Sequence, residues 1–103
     1  MYNQKIKNID LALKYYKLAA DQKYALAFGA LARYYYFDQN DYVIGMNYLD
    51  EGIALNDSYS YYLKGFVYHY GKGQKVDLAL AKYYYEKASS LGSKEAKKEI
   101  VKL

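Results

Sequence analysis

Few side chains in this sequence could support catalysis. His69 is the single histidine and there is no cysteine, so Cys/His nucleophilic pairs and metal sites with several histidines are excluded. Gly71-Lys72-Gly73 lacks the spacing of a phosphate-binding loop and is interpreted as a turn between helices. The acidic residues are scattered, and no pair of carboxylates suggests acid–base chemistry. We therefore predict a protein without catalytic activity, metal or cofactor.

Aromatic rings are the chemistry that the sequence supplies in quantity. Tyrosine accounts for 17 of the 103 residues, and tryptophan is absent. Most of these tyrosines recur at helical spacing, which is typical of rings that pack in a core while their hydroxyls reach solvent. Rings that fall on an open face instead are among the side chains that dominate binding interfaces. The composition thus favours binding over catalysis.

The bulk composition indicates one helical domain over residues 1–103. Hydrophobic residues make up 53% of the chain and proline is absent, which suits helices that bury a core and are joined by short turns. The net charge of +4 predicts either a lysine-coated surface or an acidic partner. No apolar run has the roughly 18 residues of a membrane span. The compartment stays open: the cytoplasm is favoured, and a secreted form with its signal removed is the alternative.

Capping residues and polar turns divide the chain into helices. We predict a lead-in over residues 1–7 and then helices over about 8–20, 24–37, 41–55, 59–70, 77–91 and 94–103. The expected caps at Asn8, Asp41 and Asp77 are 33 and 36 residues apart. A period in this range, built from pairs of helices, indicates a helical repeat protein. The predicted units span about residues 8–40, 41–76 and 77–103.

The repeat carries a stripe in which two small residues flank a large one, at spacings of four and three residues. Such a stripe lets a second helix lie close against the first. The three copies are Ala12, Tyr16 and Ala19; Gly45, Leu49 and Gly52; and Ala81, Tyr85 and Ala88.

The clearest copy runs from Tyr62 to Gly92 and has the pattern Gly65-x-x-Tyr68, Gly71-x-Gly73, Asp77, Ala81, Tyr84-Tyr85, Lys87-Ala88 and Gly92. This pattern resembles the Sel1-like repeat, a branch of the tetratricopeptide superfamily, over about residues 8–103. The middle copy departs from it, because Asp38-x-Asn40 replaces the Gly-x-Gly turn and glycines replace two alanines. Each such glycine should cost roughly 1 kcal/mol in helix propensity, which predicts that the middle pair is the least stable.

The resemblance implies an all-α, right-handed α-solenoid of antiparallel helix pairs, with about five to six helices, that acts as an adaptor or scaffold for other proteins. In that register the first helix of each pair lines the concave side. The residues placed there are Tyr59, Tyr62, Phe66, His69 and Tyr70; Leu26, Gly29, Arg33, Tyr36 and Phe37; and Glu95, Lys98 and Lys102. They describe an aromatic trough with cations at its ends, suited to a protein or peptide partner, possibly an acidic one.

Other interpretations stay open. The rings could stack on the bases of single-stranded nucleic acid, although few cations accompany them. They could close over one another and fill the inner radius, or the chain could be a structural segment of a longer solenoid. The first helix also lacks a partner over Ile9, Leu13 and Tyr16. An upstream segment, self-association or the arm of residues 1–7 could cover it.

Overall fold

A computed structural model describes the backbone of residues 2–103 and the side chains of residues 8–103. Every regular element in this range is helical, and no strand is present within it. The elements are α1 (Tyr2–Asp21), α2 (Ala25–Ala32), a π-helical segment (Arg33–Asp38), α3 (Tyr42–Ala54), α4 (Ser58–Tyr70), α5 (Leu78–Ser90) and α6 (Lys94–Ile100). The predicted all-α class is confirmed.

The starts of the last four helices follow from capping chemistry. The side chain of the residue before each helix accepts a hydrogen bond from a backbone N–H of the first turn. The pairs are Asp41 with Ile44 (3.2 Å), Asp57 with Ser60 (3.0 Å), Asp77 with Leu80 (3.1 Å) and Ser93 with Ala96 (3.1 Å).

Both ends of the chain depart from the predicted helices. The prediction that Asn8 caps the first helix is wrong, because α1 already begins at Tyr2 and Asn8 lies inside it. The last helix was expected to reach Leu103 but ends at Ile100.

The turns use left-handed backbone where the sequence offers residues that tolerate it. Gly71 and Gly73 have φ angles of 69° and 71°, and Gly92 ends α5 with a φ of 106°. Asn40 replaces a glycine of the repeat pattern and adopts the same region with φ at 56°. The predicted turn at Asp38–Asn40 is therefore confirmed.

The helices stack in two rows. Each helix packs on its neighbour in sequence, and contacts also join α2 to α4 and α4 to α6. Within the described residues the alternate helices α1, α3 and α5 have no comparable contact with one another. The inner row (α2, α4, α6) is thus closer than the outer row (α1, α3, α5), as expected for a curved stack of helix pairs. The confirmed architecture is a helical solenoid.

The core contains two of the three predicted stripes, those of α3 and α5. Tyr85 is fully buried between Ala81 and Ala88, and Leu49 is fully buried with Ala32 of the preceding inner helix. The third buried cluster joins the first two pairs through Ala20, Ala27, Phe28 and Leu31. Small residues on one helix and a bulky one on the next therefore account for the closest packing.

Candidate functional site

A row of aromatic rings runs along the inner helix α4. Tyr59 stacks with Tyr62 at 6.1 Å between ring centroids, Tyr62 lies 6.4 Å from Phe66, and Phe66 lies 4.5 Å from Tyr70. Phe37, from the π-helical segment, meets Phe66 edge-on at 5.7 Å. These five residues (Tyr59, Tyr62, Phe66, Tyr70 and Phe37) form a continuous surface that we call the aromatic row.

Contacts with α5 and with α2 hold the aromatic row in place, as does a helix cap at the start of α4. Tyr62 packs on the buried ring of Tyr85, with 6.0 Å between the centroids. At the start of α4 the buried Asp57 carboxylate accepts hydrogen bonds from the backbone N–H and the hydroxyl of Ser60. Gly29 of α2 allows Tyr59 to approach closely, because a Cβ there would lie 2.8 Å from Tyr59 Cδ2. These contacts fix the helix and the rings that it carries.

The rings of the row are only partly covered. Tyr70 is 49% exposed, while Tyr59, Tyr62, Phe66 and Phe37 are half-buried. On α2, Leu26 is 72% exposed, whereas Gly29, also predicted for the open face, is buried. The rings pack side by side along α4 and leave part of their surface accessible.

Tyr36 does not lie on the row, although it was predicted to. Its ring is fully buried, and its hydroxyl donates a 2.5 Å hydrogen bond to the carbonyl of Lys72. The segment that carries it, Arg33–Asp38, is π-helical, and the Gln39 N–H bonds to the carbonyl of Tyr34, five residues back. The Tyr36 ring packs on that of Tyr42 in α3, with 4.8 Å between the centroids.

His69 is also more enclosed than predicted. Its side chain is 11% exposed, and its Nδ1 lies 3.0 Å from the Tyr85 hydroxyl and 3.6 Å from Glu99 Oε2. Its ring contacts that of Tyr70 at 4.1 Å between centroids. His69 therefore supports the end of the row instead of presenting a free imidazole.

Glu99 organises this end of the row and is absent from the predicted set. Its Oε2 accepts a hydrogen bond from the Tyr70 hydroxyl (3.1 Å) and its Oε1 from the Lys102 ammonium (3.2 Å). Its side chain is 12% exposed. The only sequence signal was an acidic residue in the last helix, three positions before a lysine. The carboxylate fastens α6 to α4.

The predicted cations differ in exposure and in pairing. Arg33 is exposed beside Tyr59, and both line a cavity that α1 also borders. Lys98 is exposed on α6. Lys102 lies beyond the end of α6, and its charge is already paired with Glu99. Arg33 and Lys98 are thus the predicted cations with the least compensated charge in the structure.

The phenols of Tyr62 and Tyr70 are neutral at physiological pH. Burial raises the pKa of Tyr62, and the nearby carboxylate of Glu99 raises it further. Burial and the hydrogen bond to Glu99 raise the pKa of Tyr70 in the same direction. These two residues consequently present apolar ring surface with neutral hydroxyl groups, a combination that suits contact with another protein.

A cavity of about 300 Å³ opens next to the row, between α1 and α2. Its α1 side consists of Ile9, Ala12, Leu13 and Tyr16, and its other side includes Ala30 and Tyr34. Tyr59 and Arg33 line it as well, so the cavity and the aromatic row form one continuous surface.

Comparison with known protein families identifies the repeat from which this helical stack is built. The Sel1 repeat model matches residues 4–24 and 58–93, which together make up more than half of the chain. The chain belongs to the Sel1 repeat family. Searches among curated proteins and among solved structures found no match. The Sel1 matches leave out residues 25–57, the part in which the repeat pattern is most altered.

Sel1 repeats generally mediate protein–protein interaction and are typically non-catalytic. Within residues 8–103 of this Sel1 protein, no group of three or more histidines and carboxylates is arranged to hold a metal ion. Over the same described part of the chain, no helix is long and apolar enough to cross a membrane.

Proposed function

We propose that this chain is a non-catalytic adaptor that binds a protein or peptide along the aromatic row. The main support for this proposal is the continuous series of partly exposed rings on α4, from Tyr59 to Tyr70, on the inner side of a Sel1 stack. Contiguous aromatic surface of this kind usually marks a partner site. The polar hydroxyls and the flanking Arg33 supply hydrogen-bonding groups around it.

The charges favour a partner segment with acidic residues beside its apolar ones. Arg33 lines the cavity together with Tyr59, and both Arg33 and Lys98 are exposed. The row itself carries no charged side chain, so apolar contact supplies most of the affinity and the charges orient the partner.

The proposal is tested by replacing Phe66 with alanine. Phe66 is preferable to Tyr62 because Tyr62 also packs on the core ring of Tyr85. Peptides are first selected from a displayed library on the immobilised wild-type protein, and their affinities for the variants are then measured. We expect Phe66→Ala to weaken the selected peptides by about tenfold or more, in line with the ~1–3 kcal/mol of a central interface residue.

Tyr83→Ala is the matched control, since Tyr83 is 52% exposed on the outer helix α5, away from the row. It should bind the same peptides as tightly as wild type does. Circular dichroism of both variants establishes that the helices are retained. Equal affinities for wild type, Phe66→Ala and Tyr83→Ala would overturn the proposal.

A further inference from the structure

Lys72 lies in the turn between α4 and α5, and its ammonium group is next to the aromatic row. The Nζ atom is 6.0 Å from the ring centroid of Phe37, a member of the row, and 5.9 Å from that of Tyr42. It also donates a 3.0 Å hydrogen bond to the side-chain oxygen of Asn40. This bond is exposed to solvent, so another molecule can reach the ammonium group. A residue predicted only to connect two helices therefore borders the proposed binding surface.

The turn that carries Lys72 is fixed through its backbone. The carbonyl of Lys72 accepts a hydrogen bond from the hydroxyl of the buried Tyr36, and its N–H donates to the carbonyl of Val67 at 3.1 Å. Gly73 lies directly on Tyr42, because a Cβ there would be 2.9 Å from Tyr42 Cδ1. None of these contacts uses the Lys72 side chain. Replacing that side chain should therefore leave the turn in place.

The positive charge of Lys72 is not paired with a carboxylate among the described residues. Lys64, by contrast, forms a 2.7 Å ion pair with Asp50. Asp41 is close to this turn in the fold, but its carboxylate accepts a 3.2 Å hydrogen bond from the first turn of α3. The ammonium group of Lys72 can therefore pair with a carboxylate that another molecule supplies.

Asn40 adds a second donor at the same place. An asparagine side chain has an acceptor oxygen and an NH₂ group with two donors. The oxygen of Asn40 is used by Lys72, and the NH₂ group donates to no other described residue. A carboxylate can accept from both groups and also compensates the positive charge, which makes such bonds about twice as strong as neutral ones. A nucleic-acid strand would need a series of cations along the row instead.

We infer that Lys72 determines which partners bind: its ammonium group, together with the Asn40 amide, binds an acidic side chain of the partner beside the apolar residue that contacts Phe37. This inference rests on the proposed function, because it adds a selective polar group to the same surface. Contact with the rings supplies affinity, and the lysine selects segments in which an aspartate or glutamate is close to that contact. A partner without the acidic residue would leave the ammonium group unpaired at the interface.

The test uses peptides selected from a displayed library on wild type, as for the proposed function. They are synthesised with amidated C-termini, so that only side chains supply carboxylates. Each acidic residue is replaced in turn, aspartate by asparagine or glutamate by glutamine. We expect wild type to bind the acidic form about tenfold more tightly than the matching amide form. This preference should shrink between about 0.05 M and about 0.5 M salt, because ions screen the attraction.

Four variants assign the preference to one side chain. Lys72→Met removes the charge and keeps a long apolar chain, so the preference should fall below about threefold, because only the neutral donor of Asn40 remains. Asn40→Asp gives Lys72 a carboxylate within the protein and should also abolish the preference. Lys72→Arg keeps the charge and should retain it. Lys87→Met is the matched control, since Lys87 also lies over a ring, that of Tyr83 at 5.9 Å, but on the outer helix α5. Circular dichroism establishes that each variant is folded.

The outcomes distinguish this inference from the proposed function. If the peptides depend on Phe66 but wild type binds acidic and amide forms equally, the adaptor proposal stands and the inference is overturned. If Lys72→Met weakens both forms by the same factor, Lys72 only holds the turn in place, which also overturns the inference. Peptides that depend on neither Phe66 nor Lys72 would overturn both proposals. A preference that Lys72→Met and Asn40→Asp remove, and that Lys72→Arg and Lys87→Met retain, supports the assignment.

Discussion

Single glycines decide how closely the middle pair packs. From sequence alone, Gly45 and Gly52 predict a weak helix, because glycine lowers helix propensity. The structure shows a reason for them: a Cβ on Gly45 would lie 2.5 Å from Tyr36 Cβ, and one on Gly52 would overlap the hydroxyl of Ser60. These close approaches offset the lower propensity, so the predicted weakness does not follow from glycine content alone.

Gly52→Ala is therefore expected to destabilise the protein, although alanine is the better helix former. The Ser60 hydroxyl that it would meet is held by the Asp57 carboxylate at 2.7 Å and cannot move away without breaking that hydrogen bond. Overpacking outweighs the gain in propensity, and we expect a loss of about 1–2 kcal/mol in the free energy of unfolding, measured with urea.

Asn47→Ala is the control for helix propensity in the same helix. Asn47 is exposed in the middle of α3, so alanine there should stabilise the protein by about 0.5 kcal/mol through propensity alone. If propensity governed both sites, both substitutions would stabilise the protein. A stabilising Gly52→Ala would contradict the packing argument.

Tyr36 is expected to make the free energy of unfolding depend on pH in the alkaline range. Burial raises the pKa of its hydroxyl to about 12, with smaller contributions from Tyr42 and Tyr68. A phenol in the unfolded chain titrates near pH 10, so the unfolded state loses this proton first as the pH rises. The stability contribution is therefore complete below about pH 10 and is lost as the pH approaches 12.

Tyr36→Phe tests this linkage. At neutral pH the variant should be about 1 kcal/mol less stable, because it lacks the hydrogen bond to the Lys72 carbonyl. Between pH 10 and 12 the wild type should lose roughly 2 kcal/mol more than the variant does. The stability difference between the two proteins therefore narrows above pH 10 and changes sign before pH 12. Urea unfolding at several pH values measures it, and a constant difference would refute the assignment.

At the scale of the elements, the caps of the last four helices could be predicted from the sequence, and the π-helical segment could not. Asp41, Asp57, Asp77 and Ser93 cap helices because a short polar side chain satisfies backbone N–H groups locally. The burial of Tyr36 involves a contact distant in sequence, the hydrogen bond from its hydroxyl to the Lys72 carbonyl. Local spacing contains no signal of such a contact.

Glu99 is expected to determine how firmly α6 is attached. Its carboxylate joins α6 to α4 through Tyr70, lies near His69, and is nearly buried. Glu99→Ala should increase amide hydrogen exchange in α6, by about the 1–3 kcal/mol of hydrogen bonds to a charged group. Glu86→Ala removes an exposed carboxylate from α5 and should leave exchange in α6 unchanged. Equal exchange in both variants would show that apolar contacts alone hold α6.

At the scale of the whole molecule, the stack could be predicted because each copy of the repeat carries the same stripe of small and large residues, which another helix can cover. Ala81, Tyr85 and Ala88 could be assigned to the core from their spacing, and all three are buried. The accessible part of the row was harder to predict. Whether a ring such as Tyr62 is exposed or covered depends on the curvature of the inner row. That curvature results from how the helices pack together and cannot be predicted from the residues of one helix.

The stack should also show a gradient of local stability. In solenoids, stability is approximately a sum over repeats and their nearest-neighbour interfaces. Helix α4 packs against α2, α3, α5 and α6, whereas α1 packs mainly on α2 and leaves Tyr16 open. We therefore expect native-state hydrogen exchange to be slowest in α4 and α5 and fastest in α1.

A substitution in the best-packed pair tests whether that gradient comes from local interfaces. Gly65→Ala would push a methyl group into the Tyr85 ring, so exchange in α4 and α5 should accelerate by the equivalent of about 1–3 kcal/mol. Exchange in α1 should change much less, because α1 packs mainly on α2 and not on the altered pair. Uniform exchange along wild type, with a uniform response to Gly65→Ala, would mean that the helices unfold as one cooperative unit and that no interface along the stack is weaker than another.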